Sequence, residues 1–186
     1  MKIDLILEQI YSLPEYSAGM LKSRISVVYY PKGHILVKAG TIERKIYFIK
    51  KGIVRAFAEH EKGDITFWFG EEGETVISMQ GYVENKNGYE NMELLEDCEL
   101  YELDIINLQD LYKNDIHIAN WGRKFAEYEL LKIEKRLISR ELLEATERYK
   151  ELITYYPSLL QRVPLKYIAS YLGITQVSLS RIRKTI

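Results

Sequence analysis

The C-terminal stretch 164–186, PLKYIASYLGITQVSLSRIRKTI, carries the clearest structural signal in this chain. Apolar residues recur at helical spacing along 165–172, which predicts a short helix. Gly173 can adopt the left-handed conformation that ends a helix, and Thr175 is a suitable N-cap for a second one. Two short helices joined by a glycine turn are typical of a helix-turn-helix, whose second helix commonly enters the DNA major groove. The second helix is expected to bury Val177 or Leu179, together with Ile182.

The charge distribution agrees with contact to DNA. The segment 162–186 contains five basic residues and no acidic residue, whereas residues 1–161 contain 21 basic and 27 acidic residues. Local positive charge attracts phosphate groups whatever the base sequence. An amphipathic helix pair that packs on a partner protein is the alternative interpretation. The five basic residues are Arg162, Lys166, Arg181, Arg183 and Lys184.

Eight residues of this stretch are candidates for contact with DNA. Arg181 is expected to face outward and to read guanine through two hydrogen bonds, and Gln176 can read adenine in the same way. A solvated helix arginine is the alternative for Arg181. Thr175, Ser178 and Ser180 are expected to contact the phosphate backbone or to cap the helix. Arg183 and Lys184 are candidates for phosphate contact, with an interaction with the helix dipole as the alternative. Lys166 is a further candidate for phosphate contact, with no contact to DNA as the alternative.

The composition of the whole chain limits the class of protein. Hydrophobic residues make up 47% of the 186 residues and charged residues 28%, which predicts a globular chain with one large or two small domains. No apolar run approaches the roughly 20 residues that span a bilayer, and the N-terminus lacks the features of a signal peptide. Cys98 is the single cysteine, which fits a reducing cytosol. We therefore expect a cytoplasmic protein without membrane contact.

The sequence does not predict an enzyme, a metal site or a cofactor. The three histidines, His34, His60 and His117, are far apart. Neighbouring carboxylates such as Glu71 and Glu72 would face opposite sides of a strand, so they do not form an acid/base pair. No serine–histidine or cysteine–histidine arrangement is suggested, and no glycine loop of the phosphate-binding type is present.

Residues 27–104 change to short strands with regularly spaced glycines, which is typical of an antiparallel barrel or sandwich. Residues 1–26 are expected to be helical, with a break at Pro14. Gly52 is expected to turn one strand back on the next, and the last two strands are expected to pair with each other. The predicted strands are His34–Lys38, Ile46–Lys50, Ile53–Ala58, Ile65–Phe69, Met92–Leu95 and Glu99–Leu103.

The segment from about Ile116 to Leu143 contains no proline and carries two adjacent apolar stripes, which predicts a long helix. One stripe suffices to pack a helix on a sheet, so the second stripe is expected to meet another surface. The same helix of a second copy is the economical partner, because helix-turn-helix proteins commonly read two half-sites as dimers. Burial of both stripes within one chain is the alternative. Dimer contacts are expected at Leu130, Ile133, Leu137 and Ile138.

The order of barrel, long helix and helix pair resembles the catabolite-activator (Crp/Fnr) family of bacterial transcription regulators. Residues 31–40, PKGHILVKAG, look like the family's P-x-G-x-x-L-x-x-x-G segment. Residues 46–55, IYFIKKGIVR, look like its Y-F-I-x-x-G-x-V-R strand and hairpin. Residues 168–175, IASYLGIT, match its helix-turn-helix pattern together with Ser178, Ser180 and Arg181.

This resemblance implies a fold of the α+β class in three parts. The first is an N-terminal antiparallel double-stranded β-helix (jelly-roll) barrel of the cyclic-nucleotide-binding type, with its preceding helices, over residues 1–113. A long dimerisation helix over 114–145 and a helix-turn-helix domain over 146–186 follow. The function implied is that of a homodimeric, sequence-specific DNA-binding regulator, with RNA polymerase as a further candidate partner. The alternative is a sensor or protein-interaction module that keeps a vestigial helix pair and does not bind DNA.

Two departures from the family pattern concern the effector and the strength of DNA binding. Family members that bind cyclic nucleotide use a Gly-Glu pair for the ribose and an Arg-Ser or Arg-Thr pair for the phosphate. Residues 69–104 offer Gly-Glu at 70–71 or 73–74, but they contain eleven acidic residues, one lysine and no arginine. A buried phosphate needs a cationic partner or several N–H groups. We therefore expect no binding of cyclic AMP or cyclic GMP, unless Lys38, Lys50 or Arg55 reaches the pocket from another strand.

A barrel that binds no small molecule is the alternative to a sensor with an unidentified effector. The second departure lies at the end of the chain, because the sequence stops at Ile186, where the second helix of the pair ends. Many family members continue into a small β-wing that contacts the phosphate backbone. Without that wing, weaker contact with the backbone of DNA is expected.

Overall fold

The structure is a computed structural model that describes all residues, 1–186. Two short helices come first, α1 (Ile3–Ile10) and α2 (Glu15–Lys22). Eight strands follow: β1 (Ile25–Tyr30), β2 (Ile35–Val37), β3 (Lys45–Lys51), β4 (Val54–Ala58), β5 (Ile65–Gly70), β6 (Thr75–Val76), β7 (Asn91–Leu94) and β8 (Cys98–Asp104). A short helix, α3 (Met79–Glu84), lies between β6 and β7. The chain ends in six helices: α4 (Ile105–Asn114), α5 (Ile116–Leu142), α6 (Ala145–Tyr155), α7 (Leu159–Arg162), α8 (Leu165–Leu172) and α9 (Gln176–Thr185).

The strands form two four-stranded antiparallel sheets. One sheet has the order β1-β8-β3-β6 and the other has the order β2-β7-β4-β5. Their facing sides bury a cluster of apolar side chains that includes Val37, Ile49, Val54, Leu94 and Leu100. Alternate residues of each strand point into this cluster, as the pleat of a strand requires. The expected combination of antiparallel sheets with long helices is confirmed.

Two expectations about strand pairing were wrong. Strands β7 and β8 follow each other in sequence but do not pair, because β7 lies between β2 and β4 while β8 lies between β1 and β3. Strands β3 and β4 likewise belong to different sheets, so the segment around Gly52 is a crossing between sheets and not a hairpin. Gly52 has φ 122, and a Cβ built there would lie 2.2 Å from the sulfur of Cys98. Only glycine fits this crossing, where the chain leaves one sheet for the other.

Helices cover the outer face of the first sheet. A second apolar cluster joins α1, α2, α4 and the first turns of α5 to β3 and β8, with Ile118 and Trp121 almost completely buried in it. The indole N–H of Trp121 donates to the carbonyl of Leu7 at 3.0 Å, so its one polar atom is satisfied. Asp115 caps α5 by accepting hydrogen bonds from two backbone N–H groups of its first turn. The rest of α5 runs on beyond this cluster.

The C-terminal helices share a third core with the barrel. Ile53, Phe69 and Leu95 of the barrel pack in one cluster with residues of α6 to α9, among them Ile168 and Leu179. The helix pair α8–α9 therefore has a fixed position relative to the sheets.

Cys98 is buried in β8, and burial raises the pKa of its thiol to about 11, so it remains a neutral packing group. None of the helices is long and apolar enough to cross a membrane.

Candidate functional site

The turn between α8 and α9 has the geometry that the sequence predicts. Gly173 is left-handed, with φ 69, and it ends α8. Its N–H donates to the carbonyl of Ser170, and the N–H of Ile174 donates to that of Ala169, both at 3.0 Å. Thr175 caps α9 by accepting from the N–H of Ser178 at 3.1 Å. These bonds engage two of the carbonyls at the end of α8 and one N–H group at the start of α9.

The inner face of α9 rests on α8, and its outer face is open to solvent. Leu179 is completely buried and Ile182 is half-buried, whereas Val177 is 63% exposed. The sequence left Val177 and Leu179 as alternatives for the core, and the structure selects Leu179. Val177 instead lies four residues before Arg181, on the same outward side of the helix.

The predicted DNA-contacting residues do not all have the same freedom. Gln176, Ser180, Arg181, Arg183 and Lys184 are exposed on α9. None of the three cations among them takes part in an ion pair within the chain. The hydroxyls of Thr175 and Ser178 are 2.9 Å apart and bonded to each other, so both are occupied by the cap. Lys166 is exposed on the first turn of α8, with its ammonium 4.6 Å from the ring centroid of Tyr167.

Arg162, the remaining cation of the basic segment, is not available to an external anion. Its guanidinium donates to both carboxylate oxygens of Glu72, at 2.8 and 2.9 Å, and it also binds Glu96. Burial raises the pKa of Glu72, but the hydrogen bond from Arg162 and that from the N–H of Gly52 outweigh it and hold this pKa at about 2. The same two carboxylates raise the pKa of Arg162. This cluster binds the end of α7 to the barrel.

Helix α8 is attached to the edge of the second sheet. The hydroxyl of Ser170 accepts from the N–H of Thr66 and donates to the carbonyl of Asp64, both at 2.9 Å. These two backbone groups lie at β5, the edge strand, whose free N–H and C=O groups need partners. Next to them, the ring of Tyr167 stacks on the guanidinium of Arg55 at 3.8 Å. Helix α8 therefore closes the sheet edge and carries α9 at a defined position.

Long helix α5 exposes both apolar stripes. Leu130, Ile133, Leu137 and Ile138 are 68%, 60%, 58% and 50% exposed. Leu131 and Leu142 are exposed as well, so no segment of this chain covers either stripe. The alternative that the stripes are buried within one chain is contradicted. On its other side, α5 contacts the helix pair, because the guanidinium of Arg136 stacks on the ring of Tyr171 at 3.7 Å.

The segment that was compared with a nucleotide-binding cassette has a different use in the structure. Glu71 accepts a hydrogen bond from Ser158, and Glu74 forms an ion pair with Lys132 of α5 at 2.8 Å. Both candidate ribose-binding carboxylates thus serve contacts between the barrel and the helices. Short helix α3 packs so closely that a Cβ on Gly81 would lie 2.5 Å from the carbonyl oxygen of Glu43.

None of the three cations that could have reached a ligand pocket from another strand, Lys38, Lys50 and Arg55, lies inside the barrel. Lys50 pairs with Glu99, Lys38 is exposed, and Arg55 lies on the outer face of the second sheet beneath Tyr167. The only buried charge of the segment is the carboxylate of Glu90, which is 3% exposed. A cyclic phosphate diester carries a full negative charge, so these residues do not fit a cyclic nucleotide.

The sequence and the fold were compared with those of known proteins. Residues 27–115 match the family described as Cyclic nucleotide-binding domain. None of the curated proteins matches the sequence. Many solved structures are similar in fold, with low identity. They include the c-di-GMP-responsive global regulator CLP of Xanthomonas campestris, with TM-score 0.71, 18% identity, and coverage of 92% of this chain and 91% of that one.

Two further proteins are similar in fold along most of their length. The catabolite activator protein of Thermus thermophilus is similar with TM-score 0.58 and 20% identity, over 97% of this chain and 85% of that one. FixK2 of Bradyrhizobium japonicum is similar with TM-score 0.70 and 18% identity, over 87% and 83%. The similarity extends beyond the barrel, because a barrel alone would account for only about half of these coverages.

Proposed function

We propose that this chain, a Crp/Fnr-like protein built on a cyclic nucleotide-binding domain, is a transcription regulator that binds duplex DNA as a homodimer. One observation carries the proposal. The outer face of α9 is exposed, contains no acidic residue and presents three cations without an ion-pair partner: Arg181, Arg183 and Lys184. Exposed cations without an ion-pair partner on one short helix, in a chain whose net charge is −1, provide the positive charge that binding to phosphate groups requires.

The roles of the individual side chains follow from their positions on α9. Arg181 and Gln176 are the base-reading residues, because each can form two hydrogen bonds to one base edge in the major groove. Val177, on the same side as Arg181, adds an apolar contact of the kind that thymine methyl groups accept. Arg183 and Lys184 bind phosphates of the DNA backbone, and Lys166, which lies on α8, binds another. Ser180 is exposed and donates a hydrogen bond to the DNA backbone, while Thr175 and Ser178 cap the N-terminus of α9.

Dimerisation through α5 is the second part of the proposal. The exposed stripes at Leu130, Ile133, Leu137 and Ile138 form one wide apolar face on a 27-residue helix. Exposed apolar faces of this width mark contact surfaces. A parallel α5 from a second copy would cover the face and would set two α9 helices on one side of the dimer. Their half-sites would then lie about 34 Å apart, one turn of DNA.

The alternative function is a sensor or interaction module whose helix pair only completes the barrel core. Selection of bound sites from a pool of random duplex DNA separates the two. The proposal predicts enrichment of a pseudo-palindrome with two half-sites about one helical turn apart. A pool that shows no enrichment over several rounds, with a folded and dimeric protein, would contradict it. A variant with Arg181, Arg183 and Lys184 all changed to Ala is the matched control, since it keeps the inner face of α9 intact.

A further inference from the structure

The inside of the barrel holds a buried carboxylate that has no cationic partner. Glu90 is 3% exposed and directly precedes β7. It continues the alternation of Met92 and Leu94, which point into the cluster between the sheets. Its one hydrogen bond within the chain is accepted from the neighbouring N–H of Tyr89, at 3.0 Å. No lysine, arginine or histidine lies within ion-pair distance of it.

The other buried charge of the barrel shows how this chain treats a charge that has only a structural role. Arg55 is 1% exposed and donates to the hydroxyl of Thr66 at 2.9 Å. It forms ion pairs with Asp64 and Glu93 at 3.4 Å, and its guanidinium lies 4.1 and 3.8 Å from the ring centroids of Phe57 and Tyr167. A buried ion with such partners is compensated within the fold. Glu90 lacks every one of these compensations.

A second, independent observation lies beside Glu90. Ser78 is 1% exposed, and its hydroxyl has no hydrogen-bond partner in the chain. It occupies the N-cap of α3, where a serine ordinarily accepts from the helix N–H groups, yet it makes no such bond. A buried hydroxyl without a partner is rare in folded proteins and calls for a specific reason.

The two groups converge. A Cβ built on Gly88 would lie 2.9 Å from the Ser78 hydroxyl and 3.1 Å from a carboxylate oxygen of Glu90. Both oxygens therefore lie within about 6 Å of each other, a separation that one ammonium group bridges with two ordinary hydrogen bonds. The loop that carries Gly88 is fixed, because its N–H donates to Thr41 at 3.0 Å and its carbonyl accepts from Gly40 at 2.8 Å.

The chemistry of these groups selects a cation with N–H donors. A carboxylate and a hydroxyl accept hydrogen bonds, and the carboxylate requires a positive charge once it is out of water. Tyr89, the sequence neighbour of Glu90, is 63% exposed, and its ring centroid lies 6.1 Å from that of Phe67. A metal ion fits less well, since no group of three or more ligating side chains exists in the chain. We propose that the barrel binds a small protonated primary amine, with Glu90 as its counter-ion and Ser78 as a hydrogen-bond partner.

This inference rests on the barrel alone, and its test does not use DNA. The full-length protein is titrated with n-butylamine at neutral pH by calorimetry, with cyclic AMP and tetramethylammonium as comparison ligands. Saturable binding with a dissociation constant at or below about 1 mM is expected for the amine. Cyclic AMP should not bind, and tetramethylammonium, which has no N–H donor, should bind at least about tenfold more weakly.

Variants locate the site. Glu90→Gln keeps the shape of the side chain and removes the charge, so it should weaken amine binding at least about tenfold. Ser78→Ala should weaken it about threefold, and Glu61→Gln, at an exposed glutamate without an ion pair, should leave it unchanged. If Glu90→Gln does not fold, NMR of the unaltered protein gives the same information, because saturation must shift the amide signals of Ser78 and Gly88. Absence of saturable binding up to about 50 mM amine would overturn the proposal, and so would binding that is unchanged in Glu90→Gln or that leaves both amide signals in place.

Discussion

Arg162 and Arg181 belong to the same acid-free segment, but one lies against the barrel and the other faces solvent. Arg162 is held by the carboxylates of Glu72 and Glu96, which come from positions 90 and 66 residues earlier in the chain. Arg181 is exposed and has no acidic neighbour in an ion pair. The same side chain thus has a structural role at one end of the segment and is free for an external anion at the other. A net count of basic residues does not distinguish the two.

The largest effect is expected from a change that disrupts the proposed dimer contact along α5. Ile133→Glu places a charge in the exposed stripe of α5, so it should convert the dimer to a monomer in light scattering. DNA affinity should then fall by more than about 100-fold, because one half-site no longer helps the other. Ile106→Glu changes an isoleucine of similar exposure on α4, 63% against 60%, and should have neither effect. Retention of the dimer by Ile133→Glu would rule out this interface.

Arg181→Ala tests the exposed end of the comparison. Loss of one two-bond contact to a base should cost about 1–3 kcal/mol of specific binding and relax the preference at one base pair per half-site. Stability should change by less than about 0.5 kcal/mol, since the side chain is a free surface group. Lys184→Ala is the matched control: it should weaken all DNA sequences alike and lower the salt dependence. Identical behaviour of the two variants in a binding assay on selected and random DNA would contradict the division between base reading and phosphate binding.

Arg162→Ala tests the arginine that lies against the barrel. We expect this variant to lose stability and to keep its affinity for DNA. Removal of the cation leaves two partly buried carboxylates facing each other, which should lower the free energy of unfolding by about 2 kcal/mol. The melting temperature should fall by about 4–8 °C for a chain of this size. DNA binding measured at a temperature where the variant is fully folded should change little. A variant as stable as the unaltered protein would show that the cluster contributes nothing to holding the helices.

The pH dependence of stability gives a smaller and independent test of the same cluster. The pKa of Glu72 is about 2 in the folded protein, below its ordinary value of 4.5. A carboxyl with a depressed pKa stabilises the fold fully above about pH 5, and this contribution is lost as the pH falls from 4.5 towards 2. The stability difference between the unaltered protein and Glu72→Gln should therefore shrink over this window in urea titrations. A difference that stays constant down to pH 2 would contradict the assignment of the low pKa to Glu72.

Much of the fold follows from local sequence. The spacing of apolar residues located α5 to within one residue of its ends, and Gly173 with Thr175 located the turn before α9. Strand pairing did not follow, because β7 and β8 are separated by three residues, 95–97, yet enter different sheets. A short connection usually joins neighbouring strands of one sheet, but here it joins strands of two facing sheets.

The limits at the candidate site have a similar cause. The sequence showed five cations in an acid-free segment, but the partners of Arg162 come from β5–β6 and β7–β8 connections that only the folded chain brings close. Among eleven acidic residues of the cassette segment, nothing local marks Glu90 as the buried one. The sequence did not decide whether Val177 or Leu179 is buried. Leu179 lies three residues before Ile182 and shares its helix face more closely than Val177, which lies five residues before it, but this spacing alone does not place Val177 at the surface. Burial depends on tertiary packing, which periodicity alone does not determine.

The affinity for a random DNA duplex as a function of salt concentration tests the central claim most directly. If the cations of α9 bind phosphates, binding should be measurable at about 50 mM salt and should weaken steeply as salt increases. The three phosphate contacts assigned to each copy, from Arg183, Lys184 and Lys166, predict a slope of about −5 in a plot of the logarithm of the association constant against that of the salt concentration. No detectable binding of the folded dimer at about 50 mM salt, or an affinity that does not depend on salt, would contradict the account.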